Sequence, residues 1–384
     1  MRFIHTADWH VGRLFHGVHL TDDQAFALEQ LIDLARQARV DAVLIAGDIY
    51  DRAIPPPEAV KLLDEVLFRL TVDAKVPVVL ISGNHDSPDR LGFAARLLSG
   101  QRLHIFGPLS PSVTPVVLED PAGPVYIYAV PYVEPPVVRE QLQCDTIRDH
   151  NAAMQALIAC ARQSHPPGSR AILMTHAFVV GGEESESERP LSVGGADAVD
   201  VACFEGFSYV ALGHLHRPQS AGRECIQYAG SLLKYSFAEA DHTKSVHVVE
   251  MDPLGNCTVE RVRLTVRRDV RCIQGYLADI LKGPKAGENP QDYLMVTLLD
   301  TGAILDAMGK LREVYPNVLH IDRPALTEHG QKHNGRADHR RMNDAQLFAG
   351  FFSEVTGSEL TVEEASVYTA VVDAMRQRER EVTP

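Results

Sequence analysis

The chain has 384 residues, which is more than a typical single domain contains, so about two or three structural units are expected. Its hydrophobic content of 45% and charged content of 23% are ordinary for a globular protein, and no window approaches about 18 uninterrupted apolar residues, which argues against a membrane span. The net charge of −14 argues against general, non-specific affinity for nucleic acid.

Signals of compartment point to the cytoplasm. The first residues enter a strand directly, without a basic segment followed by a long apolar stretch, so no signal peptide is expected. The six cysteines lie far apart and form no C-x-x-C pair. That spacing fits reduced thiols in the cytoplasm better than a disulfide framework.

Residues 1–262 alternate between strand patterns and helix patterns. An apolar stripe at helical spacing predicts a helix at 22–38, a proline in the first turn supports a second helix at 57–70, and a third covers 88–98. Short apolar runs predict strands at 2–4, 42–45, 77–81, 125–129, 171–174, 209–212 and 245–251. Strands that alternate with helices indicate a sheet system covered by helices.

The pattern changes near residue 262. An alternating stretch predicts an edge or connecting strand at 261–267. A small α+β unit follows, with a helix at 277–281, a loop at 282–290, a strand at 293–299, a helix at 303–315 and a strand at 318–321. After a polar, basic linker at 329–342, two helices are expected at 344–356 and 362–375. Asn343 or Asp344 can cap the first of these, and Thr361 with Glu364 forms a capping box for the second.

Charge is distributed unevenly along the chain. Residues 261–341 contain 14 Lys and Arg against 10 Asp and Glu, so DNA contacts could concentrate there and at Arg13, Arg52 and Arg90. Ordinary surface is the alternative interpretation of this mild basicity. The acidic run at 183–188 is interpreted as a solvated, mobile loop.

Five polar motifs each follow one of the apolar runs. Because the strands end where the motifs begin, their side chains are expected at one rim of the sheet, where open α/β sheets bind ligands. The motifs supply Asp8, His10, Asp48, Asp51, Asn84, His85, Asp86, His176, His214 and His216.

The residue types predict a metal centre with two ions. Imidazole and carboxylate ligands without cysteine favour Mn, Fe, Zn or Co over Ca or Mg, and over a thiolate zinc site. Asp48 is the natural bridge, because one carboxylate can bind a metal through each oxygen. Two metals about 3.5–4 Å apart clamp a phosphate and activate a water for in-line attack. The candidate ligands, too many for one ion, are Asp8, His10, Asp48, Asn84, His176, His214 and His216.

These motifs resemble those of the calcineurin-type metallophosphoesterases. Within that family the chain closely resembles the SbcD-type nuclease subunits of bacterial SbcCD complexes, which are relatives of the eukaryotic break-repair nuclease. The stretches at 6–13, 46–51, 188–195 and 228–236 carry the resemblance, and the last two separate these nucleases from generic phosphoesterases.

The resemblance implies an α/β fold, a four-layer α/β/β/α sandwich over residues 1–262. It further implies a DNA-binding cap at 263–328, the linker at 329–342, and C-terminal helices at 343–384 that dock on an SbcC-type ATPase. A homodimer through the helices at 57–70 and 88–98, and a heterotetramer with SbcC, are also implied. An internal helix pair, and C-terminal helices packed on the nuclease domain, are the alternatives.

The resemblance also assigns roles at the site, with Mn²⁺ as the expected metal. Asp8, His10, Asp48 and His216 would hold one ion, and Asp48, Asn84, His176 and His214 would hold the other.

Three further residues beside these ligands receive roles from their positions. His85 directly follows a ligand and can protonate the leaving oxygen or stabilise the phosphorane. Asp51 could accept a hydrogen bond from His85 and fix its tautomer. Asp86 is expected to cap the turn that follows it.

The sequence therefore predicts an Mn-dependent DNA nuclease that works with an ATPase. A generic phosphoesterase acting on phosphomonoesters or cyclic nucleotides is one alternative, which the long extension after residue 262 disfavours. A non-catalytic scaffold is another, which the intact ligand motifs disfavour.

Overall fold

The computed structural model describes residues 1–110, 112–163, 165–188, 198–324, 344–356 and 358–382. Within the chain two compact units can be separated, Met1–Val270 and Arg271–Pro384. Three sequence predictions lie outside the described residues: most of the signature at 188–195, the linker at 329–342, and the cap at Asn343. Among the described residues, none belongs to a helix that is long and apolar enough to cross a membrane.

The first unit is built from strands and helices that largely alternate. Its strands are β1 (Arg2–Thr6), β2 (Leu14–Phe15), β3 (Val18–His19), β4 (Ala42–Ala46), β5 (Val78–Ile81), β6 (Leu103–Phe106), β7 (Val116–Asp120), β8 (Gly123–Val130), β9 (Arg170–His176), β10 (Tyr209–Gly213), β11 (Gln219–Ala221), β12 (Arg223–Tyr228), β13 (Ser245–Met251) and β14 (Cys257–Arg263). Its helices are α1 (Thr21–Gln37), α2 (Pro57–Phe68), α3 (Pro88–Leu91), α4 (Ala95–Leu98), α5 (Pro135–Leu142) and α6 (His150–Gln163).

Two six-stranded sheets form the centre of this unit. Their strand orders are β14-β13-β1-β4-β5-β6 and β11-β12-β10-β9-β8-β7. In the first sheet β1, β4, β5 and β6 run parallel, and in the second β8, β9, β10 and β12 run parallel. Parallel neighbours end at the same edge, so the loops after β1, β4 and β5, and those after β9 and β10, share two adjoining rims.

The two sheets face each other across a shared apolar core. Alternate side chains of the first sheet, such as Leu44 and Ile81, lie in one cluster with Ile127 and Met174 of the second. Strands buried on both faces need a helical cover on the outside. On the second sheet that cover is α5 and α6, which contribute Val138, Leu157 and neighbouring residues to a separate cluster with the strands. The expected α/β/β/α sandwich is confirmed.

The prediction of one continuous helix at 88–98 is wrong. The segment 88–98 forms two single turns, α3 and α4, instead of one helix. Ala94 between them has a φ of 61°, a left-handed conformation that no helix interior contains. The apolar spacing around Phe93 and Leu97 therefore does not reflect a buried helical stripe, and both side chains are 81% exposed.

Several other boundaries differ from the sequence predictions. The second helix ends at Phe68 and continues as one π-helical turn, Arg69–Asp73. The alternating strand expected at 261–267 is the end of β14, which pairs with β13 up to Arg263. The sequence predictions lack the strands β6, β7, β11 and β12, which are short, and the helix α5, which begins with two prolines. They also lack α6, although its 14 residues contain no proline and have an apolar face at helical spacing.

The second unit has a three-stranded sheet and four helices within its described part. The strands β15 (Val270–Gly275), β16 (Tyr293–Leu298) and β17 (Val318–Asp322) lie in that order, and β16 runs parallel to β17. The helices are α7 (Leu277–Ile280), α8 (Ala307–Val314), α9 (Asp344–Thr356) and α10 (Val362–Val382). Leu294, Val296 and Leu311 belong to the core of this α+β unit.

The two C-terminal helices contact each other through aromatic rings. Phe348 of α9 stacks face to face on Tyr368 of α10, with ring centroids 4.0 Å apart. The predicted capping box is confirmed, because Thr361 N donates to Glu364 Oε2 at 2.9 Å and Glu364 N donates to Thr361 Oγ1 at 3.3 Å. Phe351, three positions after Phe348, is 60% exposed.

Candidate metal centre

The motif loops after β1 and β4 are held together by their backbones. Asp8 N donates to Gly47 O at 3.0 Å, and His10 N donates to Asp48 O at 2.9 Å. Asp8, His10 and Asp48 have φ angles of 52°, 45° and 49°, which are uncommon for residues with a side chain. Such strained conformations concentrate at functional sites, and here three of them belong to candidate ligands.

Glycines in the motifs leave space that the candidate ligands occupy. A Cβ on Gly47 would lie 2.3 Å from His176 Nδ1, and a Cβ on Gly83 would lie 2.1 Å from Asp48 Oδ1. Side-chain atoms cannot approach so closely, so only glycine fits at these two positions. The loops can therefore converge on one small cavity.

Asp48 lies at the centre of the cluster. Its Oδ2 atom is 3.5 Å from Nε2 of His10 and 3.5 Å from Nε2 of His176. Its Oδ1 atom accepts a hydrogen bond from His85 N at 2.9 Å. A bridge through both oxygens is the prediction, whereas in the structure Oδ2 alone faces both imidazoles.

Two contacts in the cluster bring potential metal-donor atoms of neutral side chains close together. His176 Nδ1 lies 3.0 Å from Ala46 O, so it carries the proton, and Nε2 keeps the lone pair. That lone pair faces Asn84 Oδ1, another acceptor, at 2.9 Å. His10 Nε2 lies 3.1 Å from His216 Nε2, and this pair of nitrogens can share at most one proton when both rings are neutral. Acceptors that converge in this way are suited to a shared cation.

Unpaired buried atoms support the same interpretation. Asp8 Oδ2 and His10 Nδ1 are buried and have no hydrogen-bond partner within the described part of the chain. Buried polar atoms are nearly always paired, so such atoms need an explanation such as an ion. The donor set of imidazole, carboxylate and amide oxygen fits divalent cations.

Burial sets the protonation of these side chains. It lowers the pKa of His10, with His216 adding to the effect, and it lowers the pKa of His176 and of His214. Neutral imidazoles are the form that binds metals. Burial, followed by the charge of Asp48, raises the pKa of Asp8, so this carboxylate needs a compensating positive charge to stay ionised.

The predicted ligands converge in two groups of close donor atoms. Asp8, His10 and His216 offer donor atoms within 4.8 Å of one another, and so do Asp8, Asp48 and His176. His214 is buried beside them, with its ring centroid 5.4 Å from that of His176, and its backbone N donates to Asp8 Oδ1 at 2.9 Å.

His85 and Asp51 also lie at the centre, but their contact differs from the expected one. His85 Nδ1 donates to the backbone oxygen of Asp51 at 2.9 Å, and not to its carboxylate. The carboxylate instead accepts from Arg13 Nη1 at 2.8 Å. The guanidinium is the stronger partner, so it takes the carboxylate and leaves the carbonyl to fix the His85 tautomer. Arg52 and Arg90 are exposed on the surface.

The prediction that Asp86 caps the turn after it is wrong. Its carboxylate accepts from Ile49 N at 3.0 Å, Tyr50 N at 2.9 Å and Gly83 N at 2.9 Å. These amides leave their strands at the rim and have no strand partner, so the buried carboxylate joins the loops after β4 and β5. Burial, then the charge of Asp48, raises the pKa of Asp86 to about 7.

Behind His216 lies a set of polar residues that the motifs did not indicate. Glu239, in a single 3₁₀ turn, is fully buried and paired with Lys244. Its carboxyl group accepts from Ser187, whose Oγ lies 2.6 Å from His216 Nδ1. Although burial opposes its charge, Lys244 lowers the pKa of Glu239.

The acidic run is therefore not solvated throughout. Glu188 Oε1 accepts a hydrogen bond from His216 N at 2.8 Å, and Ser187 contacts the His216 ring. The sequence signal for these contacts was weak, since serine and glutamate in a charged run ordinarily indicate surface.

Similarity to known proteins agrees with this site. A family model described as calcineurin-like phosphoesterase matches residues 1–218, and one described as type 5 capsule protein repressor C-terminal domain matches residues 266–356. The chain therefore belongs to the calcineurin-like phosphoesterases.

Two curated relatives narrow the family. The SbcD subunit of the nuclease SbcCD from Staphylococcus saprophyticus is 30% identical over 375 residues, which are 98% of each chain. The SbcD subunit of the nuclease SbcCD from Staphylococcus epidermidis is 30% identical over 361 residues, 94% of this chain and 95% of the relative. The chain thus belongs to the SbcD family of nuclease subunits. A dimetal phosphatase structure from Danio rerio is 14% identical, covers 69% of this chain and 96% of its own, and has a TM-score of 0.42.

Proposed function

We propose that this chain is a metal-dependent DNA nuclease, a double-strand exonuclease and single-strand or hairpin endonuclease. It would act with an SbcC-type ATPase in DNA end processing, repair and recombination. The observation that carries this proposal is the similarity to a named SbcCD nuclease subunit over 98% of each chain. Similarity to a generic phosphoesterase would be expected only over the first unit, whereas the similarity to this relative extends through the second unit as well.

Two divalent ions, which we propose to be Mn²⁺, would be held by the converging acceptors. One would be bound by Asp8, His10, Asp48 and His216, and the other by Asp48, Asn84, His176 and His214. Asp48 Oδ2, at 3.5 Å from both His10 Nε2 and His176 Nε2, supports its role as the shared ligand. When bound, such ions neutralise phosphate charge and favour the attack of water on phosphorus.

His85 is proposed as the residue that supplies a proton. Hydrolysis forms a bond between water oxygen and phosphorus and breaks the bond to the leaving oxygen, which must take up a proton. The His85 ring is fixed through Nδ1 on the Asp51 carbonyl, and it contacts the His10 ring edge to face at 4.7 Å. In the imidazolium form Nε2 carries the second proton, which would pass to the leaving oxygen while Nδ1 keeps its proton on the carbonyl. Asp51 would act through position, by anchoring Arg13 and His85 to one loop.

The remaining segments are proposed to serve DNA and protein partners. Residues 1–262 would be the nuclease domain, 263–328 a DNA-binding cap, 329–342 a linker and 343–384 the helices that dock on the ATPase. The α+β core of the second unit and the exposed Phe351 support these roles. The free state of all six cysteines fits the proposed cytoplasmic location.

A homodimer, and a heterotetramer with SbcC, complete the proposal. Phe93 and Leu97, each 81% exposed beside the loop after β5, offer an apolar surface for a second copy. Val66 and Leu91 are buried and cannot take part, and Leu62 is half-buried.

The test is an activity assay on the purified full chain. Linear duplex, hairpin and single-stranded DNA are incubated with Mn²⁺, with and without an SbcC-type partner and ATP. p-Nitrophenyl phosphate and cyclic nucleotides serve as competing substrates. Metal-dependent DNA cleavage that the Asp48→Asn variant lacks supports the proposal. Turnover of the small phosphoesters with no DNA cleavage in any mixture would reject it.

A further inference from the structure

A hydrogen-bond relay sets the tautomer of His216. Ser187 Oγ lies 2.6 Å from His216 Nδ1 and also donates to Glu239 Oε1. A hydroxyl has one proton, and an ionised carboxylate can only accept. The Ser187 proton therefore points to Glu239, so Nδ1 of His216 must be the N–H that donates to Ser187. Nε2, which faces His10, is left with the lone pair.

The far end of this relay is fixed by one buried ammonium group. Lys244 Nζ donates to Glu239 Oε2, to His216 O at 2.8 Å and to Ser231 Oγ at 2.9 Å. These three bonds use all three of its protons. The same cation thus holds both the backbone of His216 and the carboxylate that receives the relay. Lys244 is only 3% exposed, and Glu239 and Ser231 are fully buried.

Within the part of the chain that the structure describes, the support behind His176 is of a different kind. His176 Nδ1 donates to the neutral carbonyl of Ala46 at 3.0 Å, and the neighbouring Asn84 is a neutral ligand. An imidazole whose N–H leads to a carboxylate is the more basic metal ligand, and such partners typically change metal affinity by about 10–100-fold. Asp8 offers donor atoms to both halves, so the relay behind His216 is what distinguishes them.

We propose that Glu239, held by Lys244, is a positioning residue for His216, and that the two halves of the centre fill in order. The half with Asp8, His10 and His216 binds its divalent cation first, and the half with Asn84 and His176 binds the second more weakly. This inference rests on the proposed two-ion centre and adds an unequal affinity, with a named cause.

Ordered filling is measured on the wild-type full chain, without DNA. Metal-free protein is titrated with Mn²⁺ and followed by electron paramagnetic resonance and calorimetry. The expected result is a mononuclear signal at the first equivalent, a spin-coupled signal at the second, and dissociation constants that differ by about 10-fold or more. Equal affinities, or coupling from the first addition, overturn the inference but leave the nuclease proposal intact. Absence of Mn²⁺ binding overturns both.

Variants then test the cause. Glu239→Gln removes the charge at the end of the relay, so the first affinity should fall by about 10–100-fold and approach the second. Glu239→Asp should recover part of it. The matched control is Glu250→Gln on β13, an exposed glutamate paired with Arg2.

Two more variants guard against misfolding, because Glu239→Gln leaves Lys244 buried without its partner. Glu239→Gln combined with Lys244→Met removes both charges, so it should lower the first affinity and spare the second. Ser187→Ala removes only the hydroxyl and keeps the direct contact of His216 Nδ1 with Glu239 Oε1 at 3.4 Å, so its effect should be in the same direction but smaller. Variants that fold, by circular dichroism, and keep the wild-type affinity ratio would refute the role of Glu239.

Discussion

His10 and His216 face each other through their Nε2 atoms at 3.1 Å, with the carboxylate of Asp48 beside them. Burial holds the pKa of His10 low, so the ring is neutral and one of its two nitrogens has a lone pair. The relay behind His216 leaves Nε2 of that ring without a proton. A divalent cation in front of the two rings would be held by these nitrogens together with the carboxylate of Asp48.

Asp48→Asn should abolish cleavage and remove at least one ion. The amide keeps the size of the side chain but loses the charge that both imidazoles approach at Oδ2. Metal content by mass spectrometry and DNA cleavage at saturating Mn²⁺ check this. Thermal unfolding of the metal-free variant should match that of metal-free wild type. A variant that retained substantial cleavage would exclude Asp48 as the shared ligand.

His85→Ala should separate chemistry from binding. General acids typically contribute about 10²–10⁴-fold, so single-turnover cleavage should slow within that range while metal content and DNA affinity stay the same. Asp51→Ala is the informative comparison, because the backbone carbonyl that holds His85 remains. Its effect should be smaller than that of His85→Ala. Loss of an ion in His85→Ala would instead make His85 a ligand.

His247 should make the protein sensitive to acid. Burial, followed by the charge of Arg261, lowers its pKa from 6.5 to about 3, and neither ring nitrogen has a partner within the described residues. Between about pH 6.5 and pH 3, His247 is protonated in the unfolded chain but neutral in the folded chain. The free energy of unfolding therefore decreases as the pH falls through this range. Between pH 7 and 5 this costs about 2 kcal/mol.

The measurement is urea unfolding of metal-free protein at both pH values. His247→Leu should lose about 2 kcal/mol less than wild type over the same interval. An equal loss in both proteins would show that His247 does not govern the acid response.

Self-association should depend on the apolar surface beside α3 and α4. Replacing Phe93 and Leu97 with glutamate should convert a dimer at micromolar concentration to a monomer, because charges would be buried without partners. Sedimentation velocity distinguishes the two states. Leu254→Glu is the control, since Leu254 is 86% exposed in the turn between β13 and β14. A monomeric wild type would rule out this surface as a dimer interface.

Deleting residues 342–384 should leave metal binding and Mn²⁺-dependent cleavage of single strands intact. It should remove binding to the SbcC-type ATPase and the ATP-dependent activity on duplex ends. Phe351→Ala should reproduce much of the binding loss, about 2 kcal/mol, because its side chain is 60% exposed. Binding is measured by calorimetry. Unfolding or metal loss in the deletion would instead assign these helices to the nuclease core.

Phe348→Ala is the matched comparison for Phe351→Ala. Phe348 stacks on Tyr368 at 4.0 Å, so its loss should destabilise the helix pair itself. The two variants should therefore differ in helix content by circular dichroism before any partner is added. Equal behaviour would mean that the stacking does not hold α9 on α10.

The sequence was most informative where a residue type at a given position has a single usual structural role. Motif polar residues after apolar runs predicted the rim, and the Thr361–Glu364 capping box was recognisable from two residues. It was least informative where tertiary contacts decide. The apolar spacing of Phe93 and Leu97 suggested a helix that a left-handed Ala94 interrupts.

The support behind His216 could not be found by motif. Glu239 and Lys244 lie more than twenty residues after His216 in the chain. Only their burial as an ion pair, which the sequence does not reveal, indicates a role at the centre. A glutamate and a lysine five positions apart ordinarily indicate solvent. Only their burial together beside His216 makes them part of the centre.

Asp86 sets the spacing between two loops of the centre. Its carboxylate accepts hydrogen bonds from Ile49 N, Tyr50 N and Gly83 N. The length of this one side chain therefore sets the distance between the loop that carries Asp48 and the loop that carries Asn84. Lengthening this side chain by one methylene would slide one loop against the other without touching a ligand. The relative position of Asp48 and Asn84 is in this sense fixed by the scaffold, at a residue outside the predicted ligand set.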